Sequence, residues 1–247
     1  MDRRVAAVAM ALLASLAVGV GVLAAAGEGD GDGDGDPYAP RIDPAGFSAT
    51  ITNPYLPLRP GTRWVYDGRS ADGAERRVVE VTDEIRTVMG VRCVVVRDVV
   101  SLDGQLHEET LDWFAQDRQG TVWYFGEATR TRRGNGSFTP EGSWEAGVGG
   151  AQPGVVMPAR PAPGAQYRQE YLPGQAEDMA RVLTADGTLR VRFGFFRGVV
   201  VTRDWSPLDP GVAEHKHYAP GIGLVREETV EGDASFVELV ELRTRQS

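Results

Sequence analysis

The chain of 247 residues is long enough for one large β domain or two small domains, and its 42% hydrophobic and 25% charged residues are typical of a globular protein. A net charge of −9, with no basic stripe, argues against nucleic acid as a partner. The single cysteine, Cys93, excludes an intramolecular disulfide.

The N-terminus has the pattern of an export signal. Two arginines precede an apolar, uncharged run over residues 5–22, and small residues occupy the −3 and −1 positions of a cleavage site after Ala26. The run is also long enough to cross a bilayer without being cleaved. Residues 1–26 are therefore predicted to be a signal peptide or an N-terminal membrane anchor. Both interpretations place the rest of the chain outside the cytoplasm, either secreted or held at the cell envelope by this segment.

Glycine alternates with acidic residues over residues 27–37. Such a tract has no hydrophobic content and great backbone freedom, so it is predicted to be a disordered spacer. Calcium binding is the alternative, because carboxylates can supply oxygen ligands. The tract lacks the ordered ligand pattern and closing glutamate of an EF-hand, so a tether is favoured and no cofactor is predicted.

The rest of the chain, residues 38–247, is predicted to be a single all-β domain. Short runs rich in valine, threonine and aromatic residues recur between turn signals, and no long amphipathic helix or linker interrupts them. The pattern predicts roughly twelve antiparallel strands, forming a curved sheet, a half-barrel or a sandwich. Asp-Gly pairs that suit hairpin turns occur at residues 67–68, 72–73, 103–104 and 186–187.

A long central loop is predicted over residues 141–178, which concentrate glycine, proline, aromatic and acidic residues. Aromatic platforms beside hydrogen-bonding groups suit a concave site for an apolar or saccharide-like ligand. The candidate ligand-binding residues are Trp144, Glu145, Gln152, Tyr167, Glu170 and Tyr171. Alternatively, the loop is a lid that caps an open end of the sheet. Glu145 and Glu170 could also form an acid and base pair for glycoside cleavage.

His215 and His217 are weak candidates for a metal site. On a strand they share one face, and two imidazoles so spaced can chelate a transition metal if a third ligand completes the site. The alternative is a solvent-facing polar strip. Because outward histidines would turn Lys216 toward the core, an exposed edge strand is favoured. No metal site is predicted.

Three segments carry a resemblance to a known family: Asn53–Tyr66 (NPYLPLRPGTRWVY), Glu141–Gly147 (EGSWEAG) and Tyr218–Val225 (YAPGIGLV). Together they resemble an uncharacterised family of exported bacterial β-proteins, which is distantly similar to lipoprotein-like half-barrel families. The resemblance implies an exported β-protein with a half-barrel fold. It carries over no catalytic residue.

No nucleotide-binding loop, metalloprotease motif, nucleophile elbow or paired-cysteine motif occurs in the chain. No catalytic residue is therefore predicted, and binding is favoured over catalysis. The sequence favours an envelope domain that binds an apolar or mixed small ligand, or an envelope protein. The alternatives are an extracytoplasmic hydrolase acting on a polymer, and a structural or interaction module.

Overall fold

A computed structural model describes residues 38–245, and the predicted segments 1–26 and 27–37 lie outside the described residues. The described chain contains one short 3-10 helix, Pro44–Gly46, and sixteen strands. The strands are β1 (Phe47–Ser48), β2 (Arg63–Ser70), β3 (Gly73–Val88), β4 (Val91–Leu102), β5 (Gln105–Asp117), β6 (Val122–Arg132), β7 (Phe138–Thr139), β8 (Trp144–Glu145), β9 (Gln152–Met157), β10 (Gln166–Arg168), β11 (Glu170–Tyr171), β12 (Met179–Val191), β13 (Gly194–Trp205), β14 (Ala213–Ala219), β15 (Gly223–Glu231) and β16 (Phe236–Arg243).

The strands form one antiparallel sheet that is nearly closed. Its order is β10-β12-β13-β14-β15-β16-β2-β3-β4-β5-β6-β9-β11, with β1 added to β5, and β7 and β8 added to β6. The strands at the two ends, β10 and β11, are separated in the chain only by Gln169. One short link therefore pairs with β12 on one side and with β9 on the other. The all-β antiparallel prediction is confirmed, in a barrel-like form.

The central stretch 141–178 supplies this closure. It contains β8 to β11, joined by turns, and these short strands raise the number of strands above the predicted twelve. Strands of two or three residues carry too little periodicity to be read from a sequence. Within the described residues, no helix has the length and apolar character needed to cross a membrane.

Only some of the Asp-Gly pairs form the predicted turns. Asp103 and Gly104 form the tight turn between β4 and β5, both with positive φ (48° and 78°), as predicted. Gly73 begins β3 directly after a turn. The pairs at 67–68 and 186–187 lie inside β2 and β12, so the prediction of turns there was wrong. Gly68 is needed for a different reason, because a Cβ at this position would collide with the carbonyl of Phe236 on β16.

The sheet encloses an interior with two chemically different halves. Along β3 the buried positions change from Glu75 and Arg77 to Val79 and Val81. Neighbouring strands show the same change along their length, as where Phe114 follows the buried polar positions of β5. Aromatic and aliphatic side chains pack the apolar half. The other half is lined by polar and charged groups.

Candidate functional site

The polar half of the interior is an ionisable layer of buried charged side chains. Among the described residues it contains ten carboxyl groups and two cations, each no more than 8% exposed. Its members are Glu75, Arg77, Asp98, Glu108, Asp112, Glu127, Glu170, Asp178, Asp204, Glu214, Lys216 and Glu227. Buried charges are costly unless they are paired or change their protonation state.

The two cations form the centre of this layer. The Nε and Nη2 atoms of Arg77 donate to one oxygen of Asp98 at 2.8 and 2.6 Å, and Nη1 lies 3.6 Å from Glu227. Lys216 Nζ lies 3.3 Å from Asp204 and 3.9 Å from the second oxygen of Glu227. Glu227 therefore lies between both cations, with its oxygens at ion-pair distance but without a direct hydrogen bond from either.

The excess of carboxyl groups changes their protonation. Burial raises the pKa of Asp112 to about 8, assisted by the charge of Asp98 and opposed by a 2.7 Å hydrogen bond from Tyr124. Burial likewise raises the pKa of Glu75 and Glu108 to about 7 each. At neutral pH a considerable part of this layer is therefore protonated, which lowers the cost of burying so many acids.

The structure corrects the prediction for the histidine strand. β14 lies between β13 and β15, so it is not an edge strand. Lys216 faces the core because the buried Asp204 and Glu227 carboxylates stabilise its charge. His215 and His217 share the opposite face, with ring centroids 6.5 Å apart, and the latter lies 3.3 Å from Glu228. No cluster of three or more potential metal ligands occurs within residues 38–245.

Trp144, Glu145 and Glu170 do not share one surface. The indole of Trp144 is buried and packs edge-on against Tyr124, with a centroid distance of 5.3 Å. Glu145 points the other way and pairs with Arg86 outside the sheet. Glu170 belongs to the ionisable layer, where burial raises its pKa and the Asp178 charge adds to that effect. The two carboxyl groups proposed as an acid and base pair thus have opposite orientations.

The other three predicted residues also divide between interior and exterior. Tyr167 lies near the ionisable layer, and burial followed by the charge of Asp204 raises its pKa. Gln152 and Tyr171 are opposite each other on β9 and β11, on the face away from Glu170. The ring of Tyr171 packs edge-on against Tyr38 at 5.5 Å. The six candidates therefore lie on β8 to β11, the short strands at which the sheet closes, and do not converge on one concave site.

A different concave site lies where three hairpins end. This rim pocket has a volume of about 600 Å³. It is lined by Asp72, Leu102, Asp103, Gln105, Leu106, His107, Arg132, Arg133 and Gly134, from the turns after β2, β4 and β6 and the adjoining strand ends. Arg132 donates to Gln105 at 2.5 Å, and Asp103 accepts from the backbone N–H of Ala74 at 3.0 Å. These bonds hold the walls in place.

His107 is the unusual group of the rim pocket. The register of β4 and β5 shifts between the Val100–Glu108 and Ser101–Leu106 pairs, which leaves His107 as the extra residue of a β-bulge. Its Nε2 atom is buried and has no hydrogen-bond partner in the described part of the chain. Burial lowers the pKa of the imidazole, with Asp72 opposing this and Arg132 adding to it. The ring is therefore neutral at pH 7.

The rim pocket was not predicted from the sequence. The Asp-Gly pairs that contribute to it were interpreted only as turn signals. The available signal was the position of His107 three residues beyond Gly104, together with the two arginines at the end of β6. Bringing them together requires the register of β4, β5 and β6, which a single sequence does not specify.

No family model matches the chain, and no curated protein matches it. Two solved structures are similar. One, from Bacteroides fragilis, is a protein inferred to be exported, with a YmcC-like fold; it has 15% identity and a TM-score of 0.45, over 77% of this chain and 99% of that one. The other, from Parabacteroides distasonis, is inferred to be a lipoprotein; it has 14% identity and a TM-score of 0.42, over 79% and 100%. Neither structure supplies a functional residue for this chain.

Proposed function

We propose that the protein is an exported, extracytoplasmic binding domain without catalytic activity, and that its ligand occupies the rim pocket. The observation that carries the proposal is a pocket of about 600 Å³ in which several polar groups converge. Ligand sites typically have volumes of roughly 300–1,000 Å³ and contain a few placed polar groups, one of them often with a shifted pKa. His107 is such a group.

The lining indicates the class of ligand. Leu102 and Leu106 supply an apolar surface, while the guanidinium groups and the aspartates supply donors and acceptors. Because charges of both signs are present, a purely apolar molecule would leave polar groups without partners. A small, hydroxyl-rich, saccharide-like molecule fits this chemistry better. The neutral imidazole of His107 adds a further polar side chain to the lining.

The ionisable layer is assigned a structural role in this proposal. Its side chains are buried, and its cations are paired with carboxylates inside the sheet. A hydrolase remains an alternative, but the opposite orientations of Glu145 and Glu170 give it no support.

Native mass spectrometry tests the proposal on protein isolated from the envelope of its own cells without denaturation. We expect a retained small molecule on the wild type, and at least about tenfold less on Arg132→Ala, since a pocket polar contact is worth roughly 1.5–3 kcal/mol. The matched control is Arg130→Ala, on the same strand but outside the pocket. The control should retain the ligand as the wild type does.

Two results would overturn the proposal. One is a bare protein mass for the wild type from its own envelope. The other is equal retention by Arg132→Ala and Arg130→Ala. Circular dichroism of both variants verifies that a loss of ligand is not a loss of fold.

A further inference from the structure

The hairpin of β12 and β13 extends past its neighbour in the sheet. β14 pairs only with residues Val200–Trp205 of β13, while the hairpin continues to a turn after Val191. The backbone N–H of Phe193 donates to the Leu239 carbonyl on β16 at 3.2 Å. Arg192 donates to Glu238 at 2.7 Å. The hairpin tip, residues 190–197, is thus held in a defined position.

Aromatic side chains are exposed on this hairpin tip. Phe195 is 45% exposed and Phe193 is 39% exposed. The rings of Phe193 and Phe196 are stacked, with centroids 6.4 Å apart and an interplanar angle of 7°. Large apolar side chains clustered at one exposed point of a domain often indicate a contact surface.

Two arginines surround the most exposed of these rings. The guanidinium groups of Arg190 and Arg197 lie 5.1 and 5.2 Å from the ring centre of Phe195. Within residues 38–245 neither arginine forms an ion pair, whereas Arg192 pairs with Glu238 and Asp67. The hairpin tip is therefore a basic and aromatic surface on a chain whose net charge is −9.

We propose that the hairpin tip docks on an anionic lipid surface. Guanidinium groups bind phosphate through several donors, and aromatic rings enter the boundary between headgroups and acyl chains. Anionic lipids attract basic segments near their surface. The combination on the hairpin tip meets both requirements, since Arg190 and Arg197 are free to face phosphates while Phe193 and Phe195 can be buried.

Another occupant would be an acidic segment, including the chain's own residues 27–37. That tract supplies carboxylates but no apolar side chain that could cover Phe195 and Phe193. A lipid surface supplies both anions and an apolar phase. The charges and the exposed rings together therefore favour lipid.

Hydrogen–deuterium exchange of the full chain tests the proposal locally, whether or not the N-terminal segment inserts in the bilayer. We expect protection of residues 186–198 on vesicles of phosphatidylcholine mixed with phosphatidylglycerol, and none on phosphatidylcholine alone. In Arg190→Glu/Arg197→Glu the protection of residues 186–198 on the mixed vesicles should be lost. The control, Arg59→Glu/Arg92→Glu, makes the same charge change at exposed arginines away from the hairpin.

Equal protection on both vesicle types, or unchanged protection of residues 186–198 in the hairpin variant, would overturn the proposal. Protection without vesicles that disappears in Asp30→Asn/Asp32→Asn/Asp34→Asn/Asp36→Asn would also overturn it, and would identify the acidic tract as the occupant. Phe195→Ser separates the two contributions, because it should weaken lipid binding while leaving the charge unchanged.

Discussion

At the scale of single residues, Glu227 links the two cations of the ionisable layer. It faces Arg77 from one side and Lys216 from the other, and these two cations have further partners in Asp98 and Asp204. Removing one member of a buried ion network lowers the free energy of unfolding by more than the intact network contributes to it. The reason is that the remaining charge stays unpaired in a medium of low dielectric constant. Single substitutions here should therefore have large effects.

Lys216→Met is expected to lower the free energy of unfolding by about 3–5 kcal/mol, because it leaves Asp204 without a cation and Glu227 with Arg77 alone. Urea unfolding measures the change. The matched control is Arg76→Met, which removes an exposed partner of Asp67 and should cost less than about 1 kcal/mol. Equal losses in the two variants would contradict the assigned role of Lys216.

The same layer predicts a pH dependence. Glu75, Glu108 and Asp112 have pKa values near 7, 7 and 8 in the folded chain, above their ordinary values of 4.5, 4.5 and 3.8. The folded state therefore binds more protons than the unfolded state, and stability decreases as pH rises through this interval. We expect the free energy of unfolding to fall between about pH 5 and pH 8.

A variant isolates one contribution to this pH dependence. Asp112→Asn cannot ionise, so the fall in the free energy of unfolding between pH 5 and pH 8 should become smaller. Asp83→Asn, at an exposed carboxyl paired with Arg245, should leave that fall unchanged. A slope that is identical in the wild type and Asp112→Asn would show that Asp112 is ionised in the folded chain at neutral pH.

At the scale of elements, the closure depends on a close approach between β9 and β11. A Cβ on Gly154 would collide with the backbone of Gln169 and Glu170, although the φ of Gly154 is not positive. Gly154→Ala should therefore push the closing link outward and cost roughly 1–3 kcal/mol. Gly134→Ala is the control, because a Cβ there meets no atom within 4 Å. Thermal unfolding of both variants tests this; similar midpoints would mean that the closure adapts easily.

Much of the element pattern could be predicted from the sequence. The long strands β3 to β6 show alternation and end at turn residues, as the Asp103-Gly104 turn illustrates. The closure could not be predicted, because the partners of β10 and β11 are distant in the chain and the switch between them at Gln169 leaves no signal in the sequence. Gly68 shows a similar limit: a glycine required by a neighbouring strand looks the same in sequence as a turn glycine.

The buried side chains of the candidate site were harder to predict for a related reason. Lys216 appeared unsuitable for a core, because its partners Asp204 and Glu227 are supplied by adjacent strands whose register was unknown. Conversely, Trp144 and Glu170 were recognised as notable residues, but the nearly closed sheet turns them inward. Sequence patterns identify which side chains alternate. They do not specify which face becomes enclosed.

At the scale of the whole molecule, the fold encloses the ionisable layer and leaves the two proposed contact sites outside it. The rim pocket lies at the hairpin ends around His107, and the hairpin tip lies on the β12–β13 hairpin, at residues 190–197. An exported domain of this kind would bind a small polar molecule at one place and contact the envelope at another. The binding claim is the central one.

A crystal structure of the protein as isolated from its own envelope tests that claim most directly. We predict electron density for a small, polar molecule in the rim pocket, within hydrogen-bond distance of Arg132 and in contact with the side chain of His107. Density for a ligand inside the ionisable layer, between Glu227 and its two cations, would contradict the account. So would a rim pocket that contains only solvent.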